Sequence, residues 1–255
     1  MRSWRTSQSL RPVGTIRGLI LNSGIGKRMG ALTADRPKCL VEVSRGMTVF
    51  DLQVAKLLDA GVSDIVVTTG PFAQTLENYA RERYPAAEFT FVHNPEYATT
   101  NYIYSIALAE EALRGEDVVL LHGDLVFDVA VLRGILEVRG SAVVVDASLA
   151  LPDKDFKAVI SDGRVIRIGV EFFDDAVACQ PLYRLDASDW ELWLDAIIAS
   201  CDAGVRGVYA ENALNEITDT LHLRPFDVGG AICTEVDTPD DLASVREHAD
   251  VLLQR

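Results

Sequence analysis

Two glycines and two basic residues follow a short apolar run near the start of the chain. Residues 21–41 read LNSGIGKRMGALTADRPKCLV, directly after a run that predicts a buried strand. Gly24 and Gly26 allow a tight turn and a close approach of the backbone to a ligand. Arg28 and Lys38 place two cations on the same loop. Because backbone amides and fixed cations are what a triphosphate requires, the segment predicts a nucleotide site.

Two common glycine motifs fit this loop poorly. The dinucleotide fingerprint G-x-G-x-x-G would place its third glycine one residue before Gly30. The Walker motif needs Ser or Thr after its lysine, but Arg28 follows Lys27, and no glycine lies five residues before Gly26. Two glycines alone would leave an ordinary strand-to-helix turn as the alternative. The longer string G-x-G-x-R-x-x-x-L-T-x-x-x-P-K is much more specific.

Composition limits the partners of this chain. Its 255 residues allow one large α/β domain, and 49% of them are hydrophobic. A net charge of -14 argues against nucleic acid or an anionic membrane as a partner. Residues 27–38 reverse this balance, with four basic residues and only Asp35 as an acid, which favours a small anionic ligand. Four cysteines without a CxxC pair predict a reduced, cytoplasmic protein.

The first fifteen residues differ from the rest of the chain. Arg2, Arg5 and Arg11 occur there, and the first thirteen residues contain no acid. This composition resembles a transit peptide, but it lacks the apolar core of a secretion signal. We expect residues 1–15 to form a flexible N-terminal extension and residues 16–255 to form one domain.

Strand and helix patterns alternate over the first 150 residues. Such alternation predicts an α/β fold with a mostly parallel, Rossmann-like sheet flanked by helices on both faces. Ligands of such sheets bind at the carboxyl ends of the strands, where the loop of residues 24–38 and the Gly123-Asp124 pair both fall. The predicted strands are residues 16–21, 64–69, 88–93, 117–122 and 141–146, and the predicted helices are residues 48–60, 72–83, 102–114 and 128–138.

The pattern changes after about residue 150. Asp162-Gly163 is a strong hairpin turn signal, which makes the sheet mixed and adds a smaller inserted hairpin-and-helix part at about residues 150–230. Trp190 and Trp193 share a helix with apolar neighbours and are expected in the core. The predicted elements are strands at residues 157–161, 164–170, 178–185, 222–226 and 231–237, a helix at residues 188–203, and a final helix from Pro239.

Two aspartates follow apolar strands and are candidate metal ligands. Asp124 comes after a permissive glycine, and a carboxylate in that position suits Mg²⁺ held together with substrate phosphates. Its alternative role is to cap the next turn. Asp237 lies in TEVDTPDDL, where Pro239 marks a helix start, so a capping role is a real alternative there as well. His122 is expected to be a strand-end residue rather than a base.

The long string resembles the N-terminal motif of nucleotidyltransferases that join a nucleoside triphosphate to a phosphorylated sugar or alcohol. Gly24, Gly26, Arg28, Pro37 and Lys38 carry the match, together with Leu32 and Thr33. The resemblance implies that Asp124 and Asp237 bind Mg²⁺ and that Arg28 and Lys38 are catalytic. The nucleotide-binding residues that it implies are Leu21, Asn22, Ser23, Gly24, Gly26, Lys27, Arg28, Lys38, Thr100, Asn101 and Ser105.

A second stretch narrows the resemblance to cytidylyltransferases acting on phosphocholine and 2-aminoethylphosphonate. Residues 94–105 contain an N-P-x-Y and then T-N-x-x-S, although Asn101-Tyr102 stands where many of those enzymes have two asparagines. By itself, Thr100-Asn101 is also an ordinary helix N-cap. The acceptor residues implied by the resemblance are Lys157, Tyr183, Tyr209 and Glu211. An aromatic face with a carboxylate suits an ammonium group, whereas Lys157 fits a solvated strand edge equally well.

The resemblance implies transfer of CMP from CTP to a small phosphonate or phosphorylated alcohol, with Mg²⁺ as cofactor and pyrophosphate as product, and it allows a homodimer. Three alternatives remain at this point: a sugar-phosphate or inositol-phosphate nucleotidyltransferase, a non-catalytic nucleotide sensor, and a Rossmann dehydrogenase. The dehydrogenase is disfavoured because the second predicted strand ends in Thr68-Thr69-Gly70 and not in an acidic residue.

Overall fold

A nine-stranded mixed sheet forms the centre of this protein. The computed structural model describes residues 16–44 and 46–253, so the predicted N-terminal extension lies outside the described residues. The strands are β1 (Arg17–Asn22), β2 (Glu42–Ser44), β3 (Met47–Thr48), β4 (Asp64–Thr69), β5 (Glu88–His93), β6 (Val118–His122), β7 (Leu125–Phe127), β8 (Ala142–Asp146), β9 (Lys157–Ser161), β10 (Arg164–Gly169), β11 (Ala176–Leu185), β12 (Arg224–Asp227) and β13 (Cys233–Glu235).

Helices cover both faces of this sheet. They are α1 (Val49–Asp59), α2 (Ala73–Arg83), α3 (Tyr102–Leu108), α4 (Glu110–Leu113), α5 (Val129–Glu137), α6 (Ala187–Asp202), α7 (Ala210–Asn215), α8 (Pro239–Glu247) and α9 (Ala249–Leu252), with short 3-10 helices at Lys27–Thr33 and Lys38–Leu40. Within the described ranges, no helix combines the length and the apolarity that crossing a bilayer requires.

The strand order confirms the predicted α/β architecture. Strands β6, β1, β4 and β5 are parallel neighbours in that order. The long strand β11 runs antiparallel to β6, to β8 and to β9, and β12 adds a parallel pairing on the far side of β8. The β9–β10 hairpin is joined to the sheet through β11, which is the inserted hairpin expected from Asp162-Gly163.

Successive residues of the central strands face different layers. Leu19 and Leu120 pack into one core with α3, α6 and α7, where Trp190 and Trp193 are fully buried as predicted. Ile20 and the strand neighbours of Leu120 pack into a second core with α1, α2 and α5. Because side chains alternate along a strand, two apolar layers arise from one continuous apolar sequence.

The first helix shows how local sequence sets an element. Thr48 accepts a hydrogen bond from the Asp51 amide at 3.1 Å, and the Asp51 carboxylate accepts one from the Thr48 amide at 2.8 Å. This capping box fixes the start of α1. Gly61 follows the helix with φ 84°, a conformation that favours glycine, so the predicted end is also confirmed.

Two predicted elements differ in extent. The helix expected over residues 102–114 is divided at Ala109, whose amide bonds the Ile106 carbonyl three residues back. The strand expected over residues 231–237 is present as the shorter β13. This strand pairs with β7 in an antiparallel ribbon outside the central sheet, and the ribbon positions the candidate site.

Candidate active site

The glycine loop folds back on itself beneath the candidate site. Gly26 has φ 70°, and a Cβ built there would lie 3.2 Å from the Lys38 Cβ. Thr33 donates its hydroxyl to the Gly26 carbonyl at 2.9 Å. Glycine is therefore favoured at position 26, and the fold of the loop brings Lys38 close to it. A Cβ built at Gly24 would meet nothing within 4 Å, so Gly24 leaves open space beside the loop.

Four charged side chains meet beside this loop. The Lys38 Nζ lies 2.6 Å from Asp124 Oδ2 and also contacts Asp237. Arg28 reaches the other oxygen of Asp237 at 2.8 Å. The sequence predicted each of these residues, and the structure brings all four together.

The β7–β13 ribbon brings the two aspartates together. Asp124 directly precedes β7, Asp237 follows β13, and the Val236 amide donates to the Asp124 carbonyl at 2.9 Å. Capping explains neither aspartate, because Thr238 and Asp241 form the capping box of α8 and Asp124 bonds Lys38. Both carboxylates therefore belong to the charge cluster and not to a helix cap.

The charges in this cluster shift one another's pKa. Burial alone would lower the pKa of Lys38, but the Asp124 and Asp237 carboxylates outweigh it and raise that pKa. Burial would raise the pKa of Asp124, and the opposing charges of Lys38 and His122 lower it instead. The ammonium and the carboxylate are thus held in their ionised forms.

His122 and Glu235 extend the cluster. The His122 Nδ1 lies 2.9 Å from Glu235 Oε1, and ligand atoms of His122, Asp124 and Glu235 lie within 4.8 Å of one another. Burial and the charge of Asp124 raise the pKa of Glu235 to about 7, and the Glu235 contact raises the pKa of His122 against the effect of burial. Glu235 was not predicted from the sequence. Its signal is that it lies two residues before Asp237, on the same side of an extended chain.

The opposite wall is a network of small polar side chains. The hydroxyls of Ser23 and Ser105 lie 2.6 Å apart. The side-chain amide of Asn94 donates hydrogen bonds to the hydroxyls of Ser105 and Thr100, each at 3.0 Å. Ser105 is fully buried, so it orients Ser23 and Asn94 from behind. The Asn101 side chain accepts from the Tyr102 amide at the start of α3.

Aromatic rings close one end of the site. The ring of Tyr102 lies 4.7 Å from that of His122 and 5.9 Å from that of Tyr209, between ring centroids. Phe156 contacts the rings of both His122 and Tyr209. Behind them lies Glu211, which is 1% exposed and accepts hydrogen bonds from Tyr102 and, at 2.7 Å, from Tyr183.

Two residues assigned to the acceptor are positioned differently from that prediction. Tyr183 is fully buried against Trp193, so its hydroxyl supports Glu211 from the core. Lys157 is also fully buried, and its Nζ donates to the backbone carbonyls of Pro152 and Asp155. The interpretation of Lys157 as a solvated edge lysine is therefore wrong. Neither Tyr183 nor Lys157 is among the described residues that line the cavities below.

Three connected cavities meet at the site. One of about 230 Å³ lies over the glycine loop, where Leu21, Asn22, Lys27 and Gly123 line it with the charge cluster. A larger one of about 430 Å³ shares Gly24, Arg28 and both aspartates and extends to the aromatic rings. A third, of about 350 Å³, continues past Phe156 and Tyr209 to Glu211. The charge cluster thus stands in the wall shared by two cavities.

Two curated proteins resemble parts of this chain. One is a CMP-5'-(3-aminopropyl)phosphonate synthase of Streptomyces rubellomurinus, 35% identical over 118 residues, which are 46% of this chain and 18% of the relative. Another is a 2-aminoethylphosphonate cytidylyltransferase of Lancefieldella rimae, 35% identical over 108 residues, which are 42% of each protein. The chain therefore matches less than half of the length of either relative.

A solved structure shares the fold over almost the whole chain. It is the CTP:phosphocholine cytidylyltransferase of Streptococcus pneumoniae, with a TM-score of 0.74 and 21% sequence identity, and the alignment covers 92% of this chain and 99% of that one. Residues 18–183 match the family described as the MobA-like NTP transferase domain. Since that match spans more than half of the chain, this protein belongs to the MobA-like NTP transferase domain family.

Proposed function

We propose that this protein is a Mg²⁺-dependent cytidylyltransferase that transfers CMP from CTP to a small phosphonate or phosphate ester and releases pyrophosphate. The observation that carries the proposal is the cluster of Arg28, Lys38, Asp124 and Asp237, which stands between two cavities. The names of the two phosphonate-specific relatives support both the nucleotide and the class of acceptor. Four unpaired thiols agree with a reducing, cytoplasmic location.

The donor atoms beside Lys38 fit a magnesium ion. Asp124 and Asp237 each direct a carboxylate oxygen at the same ammonium, so their oxygens already converge on one cation. The other oxygen of Asp124 is buried and has no partner among the described residues. Oxygen ligands supplied by one or two carboxylates are what Mg²⁺ takes when it also binds substrate phosphates. When bound, the ion would neutralise charge on the transferred phosphoryl group.

The glycine loop is proposed to hold the triphosphate. Lys38 and Arg28 supply the cations, and open space beside Gly24 admits a phosphate close to the backbone. The Asn22 side-chain amide is buried, has no hydrogen-bond partner within the described ranges and lines the smaller cavity, so it can donate to the nucleotide. Thr100 and Asn101 line the larger cavity and are proposed to lie near the cytosine.

The transfer step needs positioning more than acid–base chemistry. An anionic oxygen of the acceptor forms a bond to the α-phosphorus of CTP. The bond from that phosphorus to the bridging oxygen breaks, and its electron pair leaves with pyrophosphate. The attacking oxygen is already ionised, so no base is required. The residues of the cluster would hold the two reactants in line and stabilise the developing charge.

The aromatic end of the cleft favours an acceptor with an ammonium group. Tyr209 is 39% exposed, and it lines the cavity together with Tyr102 and Phe156. Glu211 adds a buried carboxylate behind these rings. Ring faces and a carboxylate attract a cation. We therefore place 2-aminoethylphosphonate, 3-aminopropylphosphonate and phosphocholine ahead of neutral acceptors.

Pyrophosphate release with Mg²⁺ tests the proposal directly. CTP, UTP, dTTP, ATP and GTP are each paired with the three cationic acceptors, with 2-hydroxyethylphosphonate, and with inositol and glucose 1-phosphates. We expect release with CTP and a cationic acceptor. Release only with a sugar or inositol phosphate would instead identify a different acceptor class. CTP binding without release under any pairing would favour a nucleotide sensor.

Matched variants link the activity to the cluster. We expect Asp124→Asn and Arg28→Ala to lower turnover by about 100-fold or more, because each removes a fixed charge from the transition state. Asp35→Asn and Arg36→Ala are the controls, since these two residues lie on the same loop and form an exposed pair with each other. Equal losses in the variants and the controls would contradict the assignment.

A further inference from the structure

The buried side chain of Lys157 is hydrogen-bonded to a loop that lines the larger cavity. Lys157 is fully buried at the start of β9, and its Nζ donates to the Pro152 carbonyl at 2.7 Å and to the Asp155 carbonyl at 3.2 Å. These two carbonyls lie on either side of Lys154. The ring of Phe173 covers the same ammonium at 4.1 Å. Lys157 thus joins two loops that border the cleft.

This loop, residues 152–156, contributes three side chains to the cavity lining. Lys154, Asp155 and Phe156 all line it. Phe156 contacts the aromatic end of the cleft. Asp155 lines the same cavity as Asp124 and Asp237. Residues 154–156 therefore span the space between the metal-binding end and the aromatic end.

Charge balance points to a role for Lys154. The larger cavity is lined by the carboxylates of Asp124, Asp155, Glu235 and Asp237. Such a surface repels a phosphonate or phosphate group. The other extended cation in this lining, Arg28, is already paired with Asp237 at 2.8 Å. Lys154 makes no ion pair with any described residue, so its ammonium is available to an anion in the cleft.

We propose that Lys154 binds the anionic group of the acceptor and that Lys157 is a positioning residue that holds Lys154 in place. The inference rests on the proposed function and refines it, since it assigns the anionic group and the ammonium group of the acceptor to different parts of the cleft. The anionic group would lie between Lys154 and the metal-binding aspartates, and the ammonium tail would lie toward Tyr209 and Glu211. Lys157, expected from sequence to contact the acceptor, would act through the loop instead.

Steady-state kinetics with Lys154→Ala tests whether Lys154 binds the anionic group of the acceptor. The substrates are CTP with 2-aminoethylphosphonate and, separately, CTP with 2-hydroxyethylphosphonate. We expect the acceptor KM to rise about 10- to 100-fold, the range for loss of a charge-assisted hydrogen bond, while the KM for CTP changes less than about 2-fold. The rise should be the same for both acceptors, because they share the phosphonate. Glu211→Gln should raise the KM of the cationic acceptor alone.

The control is Asp153→Asn. It changes the charge of the residue just before Lys154 on the same exposed loop, and Asp153 does not line the cavity. It should leave the acceptor KM within about 2-fold. An acceptor KM that is unchanged in Lys154→Ala would overturn the role of Lys154. An equal rise in the KM for CTP would do the same, since it would indicate general damage to the cleft.

A double-mutant cycle tests whether Lys157 acts by positioning Lys154. Lys157→Met should raise the acceptor KM in the wild-type background and add nothing in the Lys154→Ala background. Phe173→Leu, a change at a half-exposed ring, should produce a smaller rise with the same dependence if Lys157→Met fails to fold. Additive effects would overturn the positioning role of Lys157, because its effect would then not depend on Lys154. If the wild type releases no pyrophosphate with any acceptor, the proposed function fails first, and this inference fails with it.

Discussion

Replacing Lys38 by methionine should tighten magnesium binding while it abolishes most of the turnover. The ammonium of Lys38 lies between Asp124 and Asp237, which are the carboxylates proposed to hold Mg²⁺. Lys38→Met keeps most of the aliphatic stem and removes the charge. It therefore removes a competitor for the carboxylates and, at the same time, a cation that the triphosphate needs.

The structure sets the size of both effects. Two unit charges 4 Å apart interact by about 4 kcal/mol at an effective dielectric constant of ~20. Asp124 and Asp237 retain 20% and 17% side-chain exposure, so solvent screening and desolvation offset much of that energy. A net gain of about 1.4 kcal/mol corresponds to roughly tenfold tighter Mg²⁺ binding. Loss of one preorganised charge from the transition state lowers turnover by about 100- to 1,000-fold.

Calorimetric titration of Mg²⁺ into the nucleotide-free protein measures the first effect, and pyrophosphate release measures the second. Arg36→Met is the matched control, because Arg36 is an exposed cation on the same loop and pairs with Asp35. It should change neither quantity by more than about 2-fold. Weaker Mg²⁺ binding in Lys38→Met would refute the competition argument, and near-normal turnover would refute the role of Lys38 in the reaction.

Three further predictions concern neighbouring parts of the site. Burial and a nearby charge raise the pKa of Glu235 from 4.5 to about 7, so the stability that its protonated form provides is complete below about pH 4.5 and is lost as the pH rises through about 7. Glu235→Gln should therefore flatten the fall in Tm that the wild type shows between about pH 5 and about pH 8. Gly26→Ala should lower the stability by about 1–2 kcal/mol and raise the KM for CTP, whereas Gly46→Ala, at a similar φ of 73° with nothing within 4 Å, should lower only Tm. Tyr183→Phe removes one of the two tyrosine hydroxyls that bond Glu211 and should raise the KM of a cationic acceptor without changing the KM for CTP. An equal change for a neutral acceptor would contradict this role.

Local signals explain which parts of the fold were predictable. The bounds of β4 and β5 match the predicted strands, and those of α1 and α2 agree to within one residue at each end. Each of these elements carries its own apolar pattern, and α1 also has a capping box and a terminal glycine. The short strands β2, β3 and β7 were not predicted, because two or three residues show no measurable periodicity.

The site was predictable where a motif names its residues. The string from Gly24 to Lys38 and the two aspartates led to the charge cluster before any contact was known. Lys154 was missed because an exposed loop lysine has no sequence signal of its own. The opposite error occurred at Lys157, which the sequence assigned to the acceptor with a solvated strand edge as an equal alternative. Its burial depends on the loop carbonyls and on Phe173, which are contacts that spacing does not reveal.

Tertiary contacts bring Asp124 and Asp237 close together, and the strand that precedes each residue does not do so by itself. In the sequence each aspartate follows an apolar strand, but within the described part of the chain β13 pairs with β7 alone, outside the central sheet. Gln53 of α1 donates to the His122 carbonyl at 2.8 Å and to the Leu125 carbonyl at 2.7 Å, on either side of Asp124. The geometry of the proposed metal site is therefore fixed by a ribbon and a helix that are distant in sequence. Substitutions at their contacts should weaken Mg²⁺ binding even though they leave both carboxylates in place.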